Sequence, residues 1–481
     1  MSSRESTSIS LPVELYHHIL SYFNEFDFQT RQATLVALSS SSKTLRRIAQ
    51  PYLYTHPRDL DTAERQWKFQ LALLAEPHRA ILVQSLQLLW LAEGVNSGLL
   101  IDIVRSSPHL KSMLLERGEK YRDSNRITLQ DVEDLASLLD ACSELISFRY
   151  TTMLAWTFED AMHEGDDAIN GEVRTARLAQ RLNDTRFVSA ARRLTELSLH
   201  NQAEWIAQAL LPFTSSRLQS LCLGPDLSLA FDRNLLCNLA GHSPFLESLR
   251  IRSSVRIHDL IQACKAWAPT LRVLQVILVK DDEGLPARIT GIFPTMPVLQ
   301  EFYLGAGCYT TIEAFGAIAQ TLAASPIQYF TVRNLQGLVN VDDELAASTQ
   351  LNNAVCHLVR SCSETLQTLE LKRGDSQVGR SVLHACQEAR NLVRLLVSPL
   401  TDVSPLENVV PSDLDDLLHT CPALSQIPAT LLGISSCQEL WHERSRSLEK
   451  QEEENRKKDQ GNWGLGCYSR WSNWSNLACM P

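Results

Sequence analysis

The sequence lacks long apolar runs. Although 44% of its 481 residues are hydrophobic, no stretch approaches the ~18 consecutive apolar residues that a membrane span needs. The opening MSSRESTSISLPVEL also lacks the apolar centre that is typical of a secretory signal peptide. These absences predict a soluble protein of the cytoplasm and/or nucleus that has no membrane partner.

Paired cysteines are absent as well. The chain has 12 cysteines, but none forms a CxxC motif and none lies in a cluster with the spacing of zinc ligands. Cys356, Cys386 and Cys421 each have a histidine nearby, yet the three pairs are too far apart in sequence to form one site. The spacing therefore predicts small buried thiols in a reducing compartment and no metal site.

The motifs of common enzymes are also missing. The sequence contains no GxxxxGK[ST] loop, no GxGxxG after a strand, no HExxH and no GxSxG, so we predict no catalytic residues and no cofactor. An unrecognised active site on the repeat surface described below is the alternative. A formal charge of −10 argues against a nucleic-acid partner, which would favour a basic protein.

The first segment, residues 9–57, is predicted to form a small helical module. Leu11, Leu15, Ile19 and Leu20 have the spacing of an apolar helix stripe. A second helix is expected up to about Leu38, serines 39–42 are expected to interrupt it, and a third helix follows. About fifty residues give little apolar material for an independent core, so this module is expected to dock onto a partner.

The stretches LPVELYHHILSYF and LVALSSSSKTLRRIAQPYLY resemble the F-box, particularly its fungal form. The resemblance implies that the module binds the Skp-type adaptor, which joins F-box proteins to a cullin–RING ubiquitin ligase. The matching positions implied to bind this adaptor are Leu11, Pro12, Glu14, Leu15, Ile19, Leu20, Leu38, Ser39, Leu45 and Leu53. The alternative is a generic helical cap at the end of the array that follows.

The rest of the chain repeats one pattern: an apolar residue, two variable residues, an apolar residue, one variable residue and an apolar residue. Clear copies begin at Leu194, Leu218, Leu246, Leu271, Leu299, Ile327, Leu366 and Leu392, and weaker copies begin at Val83, Leu110, Leu145 and Leu424. Successive starts from Leu194 to Ile327 lie 24 to 28 residues apart, which is the period of leucine-rich repeats, ~20–29 residues.

Each unit of this repeat is predicted to contain a short strand and a helix. Prolines fall shortly before several copies, where they would end the helix before the next strand begins. Stacking such units predicts an α/β leucine-rich-repeat solenoid, with parallel strands on a concave face and helices outside. This arrangement resembles that of F-box proteins with degenerate leucine-rich repeats. The resemblance of the first segment to an F-box and that of the array to leucine-rich repeats therefore support each other.

The predicted organisation has four parts. An F-box-like module at 9–57 leads through a helical linker at 58–82 to an irregular repeat array at 83–441, and a charged, tryptophan-containing tail at 442–481 is predicted to be disordered. The array carries an acidic insertion at about 155–175, which would either attract a basic substrate or simply keep a loop solvated. The tail tryptophans could alternatively anchor a short docking peptide.

The variable residues of the strands are predicted to face the concave side and to bind a protein substrate. The candidates are Arg250, Arg252, Tyr303, Arg333 and Lys372. Their charge would suit an acidic or phosphorylated segment, although exposed basic residues are also ordinary solubilising groups. The sequence thus predicts the substrate receptor of a Skp–cullin–F-box ubiquitin ligase. The alternative is a free-standing leucine-rich-repeat scaffold, in which the first repeat would cover Leu15 and Ile19.

Overall fold

The computed structural model describes most of the N-terminal module and of the repeat array. The described ranges are 12–22, 28–57, 60–91, 95–118, 129–152, 184–200, 203–225, 234–281, 287–289, 293–336, 344–373, 380–398, 411–427 and residue 446. Leu11, the predicted acidic insertion at 155–175 and, apart from Arg446, the predicted tail at 442–481 lie outside these ranges.

Three helices at the N-terminus pack around a core of their own. They are α1 (Val13–Tyr22), α2 (Phe28–Ser41) and α3 (Lys43–Thr55). Leu20, Leu35, Ile48 and Ala49 are buried together, and Tyr16, Leu38, Tyr52 and Leu53 pack against them. This cluster is separate from the core of the remaining chain, so the small helical module forms a distinct packing unit.

The prediction that serines 39–42 interrupt the second helix is wrong for the first three of them. The hydroxyls of Ser39, Ser40 and Ser41 each donate to a carbonyl three or four residues earlier, at 2.6–2.8 Å. These bonds satisfy the hydroxyls without breaking the helix. Only Ser42 leaves the helical path, and its Oγ accepts the amide of Leu45 at 3.1 Å as the N-cap of α3.

The described residues beyond this module form one parallel sheet with helices between its strands. Its strands are β1 (Ser85–Leu91), β2 (Ser112–Gly118), β3 (Ser147–Thr152), β4 (Glu196–Leu199), β5 (Ser220–Leu223), β6 (Ser248–Arg256), β7 (Val273–Lys280), β8 (Arg288–Ile289), β9 (Glu301–Gly307), β10 (Tyr309–Thr311), β11 (Tyr329–Gln336), β12 (Thr368–Arg373) and β13 (Arg394–Ser398). Eleven of them follow one another in chain order, β1 to β7, β9 and β11 to β13, and every pairing is parallel. This is a solenoid-like α/β fold.

Helices cover one side of the sheet. They are α4 (Ala63–Ala75), α5 (Pro77–Ala80), α6 (Ser97–Arg105), α7 (Leu129–Ala141), α8 (Thr185–Arg193), α9 (Glu204–Leu210), α10 (Leu235–His242), α11 (Ile257–Trp267), α12 (Ile312–Leu322), α13 (Glu344–Ser361), α14 (Arg380–Cys386) and α15 (Pro411–Thr420). The buried residues of helices and strands belong to one continuous core. Every second strand residue points into that core, and the residues between point to the opposite side, which we call the open face.

One backbone pattern joins each unit to the next. In every unit the residue after the first apolar position offers a carbonyl that accepts two amides of the following unit. Gln84 O, for example, accepts Lys111 N at 2.8 Å and Ser112 N at 3.0 Å. The pattern continues to the last unit, where Ser425 N donates to Val393 O at 2.8 Å. The units that begin at Val83, Leu110, Leu145 and Leu424 are therefore joined like the clearer ones.

Residues 60–82, within the segment predicted as a helical linker, contain α4 and α5 and pack against the core of the array. Leu60, Leu73 and Ala80 are buried in the same core as the strands. Gln66 is fully buried and donates to Leu89 O at 2.8 Å, and Asn96 donates to the same carbonyl at 2.7 Å. Side-chain amides thus cover part of the first strand, and α4 is the first helix of the array.

Strands β8 and β10 were not predicted by the repeat pattern. Both run parallel to the end of β11, where Thr310 lies beside Leu335, and they extend the sheet past the repeat strands. Gly305 of β9 lies close to β7, and a Cβ atom at this position would come within 2.7 Å of Ile277 Cα. Only glycine permits this close approach of neighbouring strands.

Candidate functional site

An apolar surface lies on α1. Leu15, Ile19 and Tyr22 are spaced four and three residues apart, so they share one side of the helix. They are 46%, 44% and 52% exposed. We call these three residues the α1 patch. The buried Leu20 lies on the other side of α1, in the core of the module.

The ten residues predicted to bind the Skp-type adaptor divide into three sets. Pro12, Glu14, Leu15 and Ile19 are exposed on or beside α1. Leu38, Ser39, Leu45 and Leu53 are half-buried, and Leu20 is 4% exposed. Leu20 is therefore a core residue in this structure and is not on the α1 patch. Leu11 lies outside the described residues.

The module contacts the array through the end of α3. Tyr54 packs against the core of the array, and its hydroxyl accepts a hydrogen bond from Arg79 Nη1 at 2.8 Å. The Arg79 guanidinium also lies 5.0 Å from the centre of the Tyr54 ring, a cation–π contact. Gln84 N donates to Thr55 O at 3.0 Å. This contact involves α3, and the α1 patch stays exposed.

The predicted substrate residues lie on neighbouring strands of the open face. Arg250 of β6, Gln275 of β7 and Tyr303 of β9 are consecutive Cα partners in the sheet. Arg250, Tyr303 and Arg333 are half-buried, and Arg252 is exposed. Lys372 lies in β12, and its side chain is outside the described atoms.

The open face is less basic than these candidates alone suggest. Arg333 Nε donates to Glu370 Oε1 at 3.1 Å, and the Glu370 side chain is 5% exposed. Arg250 lies 3.6 Å from Glu301. Arg333 also lies 5.3 Å from the centre of the Tyr303 ring. Burial is the main cause of the raised pKa of Tyr303. Glutamates on nearby strands thus compensate two of the predicted cations, and the sheet register brings each pair together.

A histidine, a serine and a cysteine lie close together on the open face. His200 follows β4, and its Nε2 lies 2.9 Å from Ser198 Oγ and 3.7 Å from Cys222 Sγ of β5. Burial lowers the pKa of His200, and the positive charges of Arg252 and Arg149 lower it further. The imidazole is therefore neutral at pH 7 and able to accept a proton. The spacing of the repeat does not by itself show that Ser198, His200 and Cys222 meet.

A second apolar surface was not predicted from the sequence. Trp67, Leu71 and Leu74 of α4 are 53%, 43% and 60% exposed. Their spacing places them on one side of the helix, while Gln66 and Leu73 are buried. In the sequence, apolar residues lie on both sides of this helix, directly after the predicted module. This pattern could have indicated the exposed surface.

Metal-binding clusters and membrane-spanning helices are both absent from the described ranges. No group of three or more His, Cys, Asp and Glu side chains there is arranged to hold a metal ion. None of the helices in those ranges combines the length and the apolarity that a bilayer span requires. The chemistry of the described residues therefore centres on the two helix surfaces and on the open face.

Comparison with known proteins assigns no family to this chain. No protein-family model matches the sequence, and no curated protein matches it.

Proposed function

We propose that the protein is the substrate-recognition adaptor of a Skp–cullin–F-box ubiquitin ligase. In this proposal the helical module is an F-box that binds the Skp-type adaptor. The sheet is a leucine-rich-repeat solenoid whose open face is concave and binds the protein to be ubiquitinated. The observation that carries the proposal is the exposure of Leu15 and Ile19 on a module that has its own small core.

Exposed apolar side chains on a small module indicate a missing partner. A cap that closes the array would bury its apolar residues against the first repeat, but the array contact is made by α3. Burying a leucine or isoleucine side chain contributes about 1.5–3 kcal/mol. Docking the α1 patch on an apolar groove would therefore stabilise a complex appreciably. This favours the docking hypothesis over the scaffold alternative.

The array supplies a surface suited to a protein substrate. Its apolar strand residues are buried in the core, and the intervening residues carry arginine, glutamate, tyrosine and glutamine side chains on consecutive strands. A stack of units provides a long continuous face for a partner. Ubiquitin transfer is assigned to the ligase partners, and this chain contributes by holding the substrate close to them.

A pull-down with purified Skp-type adaptor tests the proposal. Leu15→Ala/Ile19→Ala is expected to weaken binding by at least roughly tenfold, because both apolar contacts would be lost. Ile146→Ala/Phe245→Ala is the matched control, since it removes two exposed apolar side chains from the array, 41% and 57% exposed. This control is expected to bind like the unmodified protein.

The Leu11→Ala/Pro12→Ala variant extends the test to the start of the predicted motif. It is also expected to lose binding, because the F-box resemblance places both residues in the contact. If the folded, unmodified protein does not bind the adaptor, the F-box assignment fails and the scaffold alternative stands. Equal binding by the Leu15→Ala/Ile19→Ala variant would remove the α1 patch from the contact.

A further inference from the structure

Cys222 differs from the other described cysteines in its surroundings. Cys142, Cys264, Cys308, Cys356, Cys362, Cys386 and Cys421 are buried, whereas Cys222 and Cys237 are partly exposed. Burial raises the thiol pKa of Cys142, Cys264 and Cys308 to about 12. Such thiols are protected from solvent and are poor nucleophiles. Only the two partly exposed thiols of this set are accessible for reaction.

The two accessible thiols have different neighbours. Cys237 Sγ lies 3.9 Å from the backbone carbonyl of Asp259, and burial together with the Asp259 charge raises its pKa. Cys222 Sγ instead lies 3.7 Å from Nε2 of His200. The same nitrogen also lies 2.9 Å from Ser198 Oγ. A neutral imidazole can take the proton of a thiol in contact with it, whereas a backbone carbonyl cannot.

Three arginines lie near the Cys222–His200 pair. Arg149 on β3 and Arg252 on β6 both act on His200. Arg250 is the Cα partner of Cys222, and its guanidinium lies 3.6 Å from Glu301. Glu196, near this group on β4, accepts a hydrogen bond from Ser147 at 2.9 Å and lies 4.0 Å from Arg149. Reactive cysteines occur in partly exposed, electropositive surroundings of this kind.

We propose that Cys222 is a reactive thiol on the open face, activated by His200 as a general base, and that it is a site of covalent modification by small α,β-unsaturated carbonyl compounds. This inference does not depend on the proposed ligase function. Because Cys222 lies among the residues proposed to face the substrate, an adduct would change the surface that the substrate meets.

The reaction is an addition that needs no oxidant. Cys222 transfers its proton to His200 Nε2, and a sulfur electron pair forms an S–C bond at the β-carbon of the electrophile. The carbon–carbon π electrons move to give an enolate, which takes the proton from the imidazolium. The product contains all atoms of both reactants, and His200 returns to its neutral form.

N-ethylmaleimide, used below the concentration that labels every thiol, tests the proposal on the full-length chain. After a short exposure and digestion, mass spectrometry measures the labelling rate of each cysteine-containing peptide. Cys222 is expected to react on the order of tenfold faster than Cys237, its partly exposed internal comparison. In His200→Gln the Cys222 rate is expected to fall towards that of Cys237, because the neighbouring proton acceptor is removed.

Two further measurements make the result decisive. Labelling in denaturant, where every thiol is accessible, is expected to abolish the difference between Cys222 and Cys237. The unchanged labelling rate of Cys237 in His200→Gln would show that the variant remains folded. Equal rates for Cys222 and Cys237 in the folded protein would overturn the proposal, as would a Cys222 rate unaffected by His200→Gln. Loss of adaptor binding has no bearing on either outcome.

Discussion

At the scale of single residues, His200 links the charge of the open face to the stability of the fold. Its pKa is lowered by burial first and by Arg252 and Arg149 second. The folded protein therefore binds a proton at His200 less readily than the unfolded chain does. Below pH 6.5, the ordinary pKa of histidine, the unfolded chain binds a proton at this residue more readily than the folded protein does. The contribution of His200 to stability is present above pH 6.5 and is lost as the pH falls through the folded pKa.

His200→Gln is expected to reduce this pH dependence. The free energy of unfolding of the unmodified protein should exceed that of the variant by a larger amount at pH 7.5 than at pH 5.5. Urea unfolding at the two pH values measures it. His258→Gln, which removes an exposed imidazole from α11, is the control. A difference that grows towards low pH would show that His200 gains a stabilising proton in the folded state.

The positions of residues around α1 explain which of the residues predicted to bind the adaptor are exposed on its surface. The sequence presents Leu15, Ile19 and Leu20 as one broad apolar stripe. The stripe alone cannot show which edge faces inward, because both edges are apolar. Packing of α1 on α2 and α3 decides the matter, and it buries Leu20 while Leu15 and Ile19 remain exposed. The ion pairs of Arg250 and Arg333 likewise depend on strand register, which a single repeat does not reveal.

At the scale of elements, α4 is the point where the array begins. Its residues Gln66 and Leu73 are buried against the first strand, so removal of the helix would expose that strand. A chain that starts at residue 58 is expected to retain the folded array, whereas one that starts at residue 83 is expected to be strongly destabilised or aggregated. An exposed apolar edge strand is a site of intermolecular pairing.

Size-exclusion chromatography and thermal unfolding by circular dichroism distinguish the two truncations. The chain starting at residue 58 should elute as one folded species with a cooperative transition. If the chain starting at residue 83 were equally stable, residues 58–82 would be a linker, as the sequence analysis predicted.

The strands were the most predictable elements. All twelve predicted copies of the repeat, including those that begin at Val83 and Leu424, have a buried first apolar residue and the same carbonyl pattern at the unit junctions. The apolar spacing encodes which side of a strand is buried, so the repeat could be read directly. Strands β8 and β10 could not, because two or three residues carry no periodicity.

At the scale of the whole molecule, the array has one continuous core but only local contacts between units. Each repeat strand pairs with its immediate neighbours in the sheet, so stability is expected to be a sum of local contributions. The middle of the array contains an aromatic cluster in which Phe302 lies 5.7 Å from Phe293 and 5.4 Å from Phe330, measured between ring centres. A defect there should therefore affect nearby units more than distant ones.

Phe302→Ala tests this expectation. The substitution should destabilise the units around it by about 3–5 kcal/mol, because it removes a buried ring and leaves a cavity. Hydrogen exchange measured by mass spectrometry should show faster exchange in residues 273–336, while β1 to β3 keep their protection. Leu86→Ala, a core substitution in β1, is the matched control and should increase exchange only near the N-terminal end of the array. Equal loss of protection in every strand after Phe302→Ala would instead mean that the array unfolds as one cooperative unit, and the local description of its stability would be wrong.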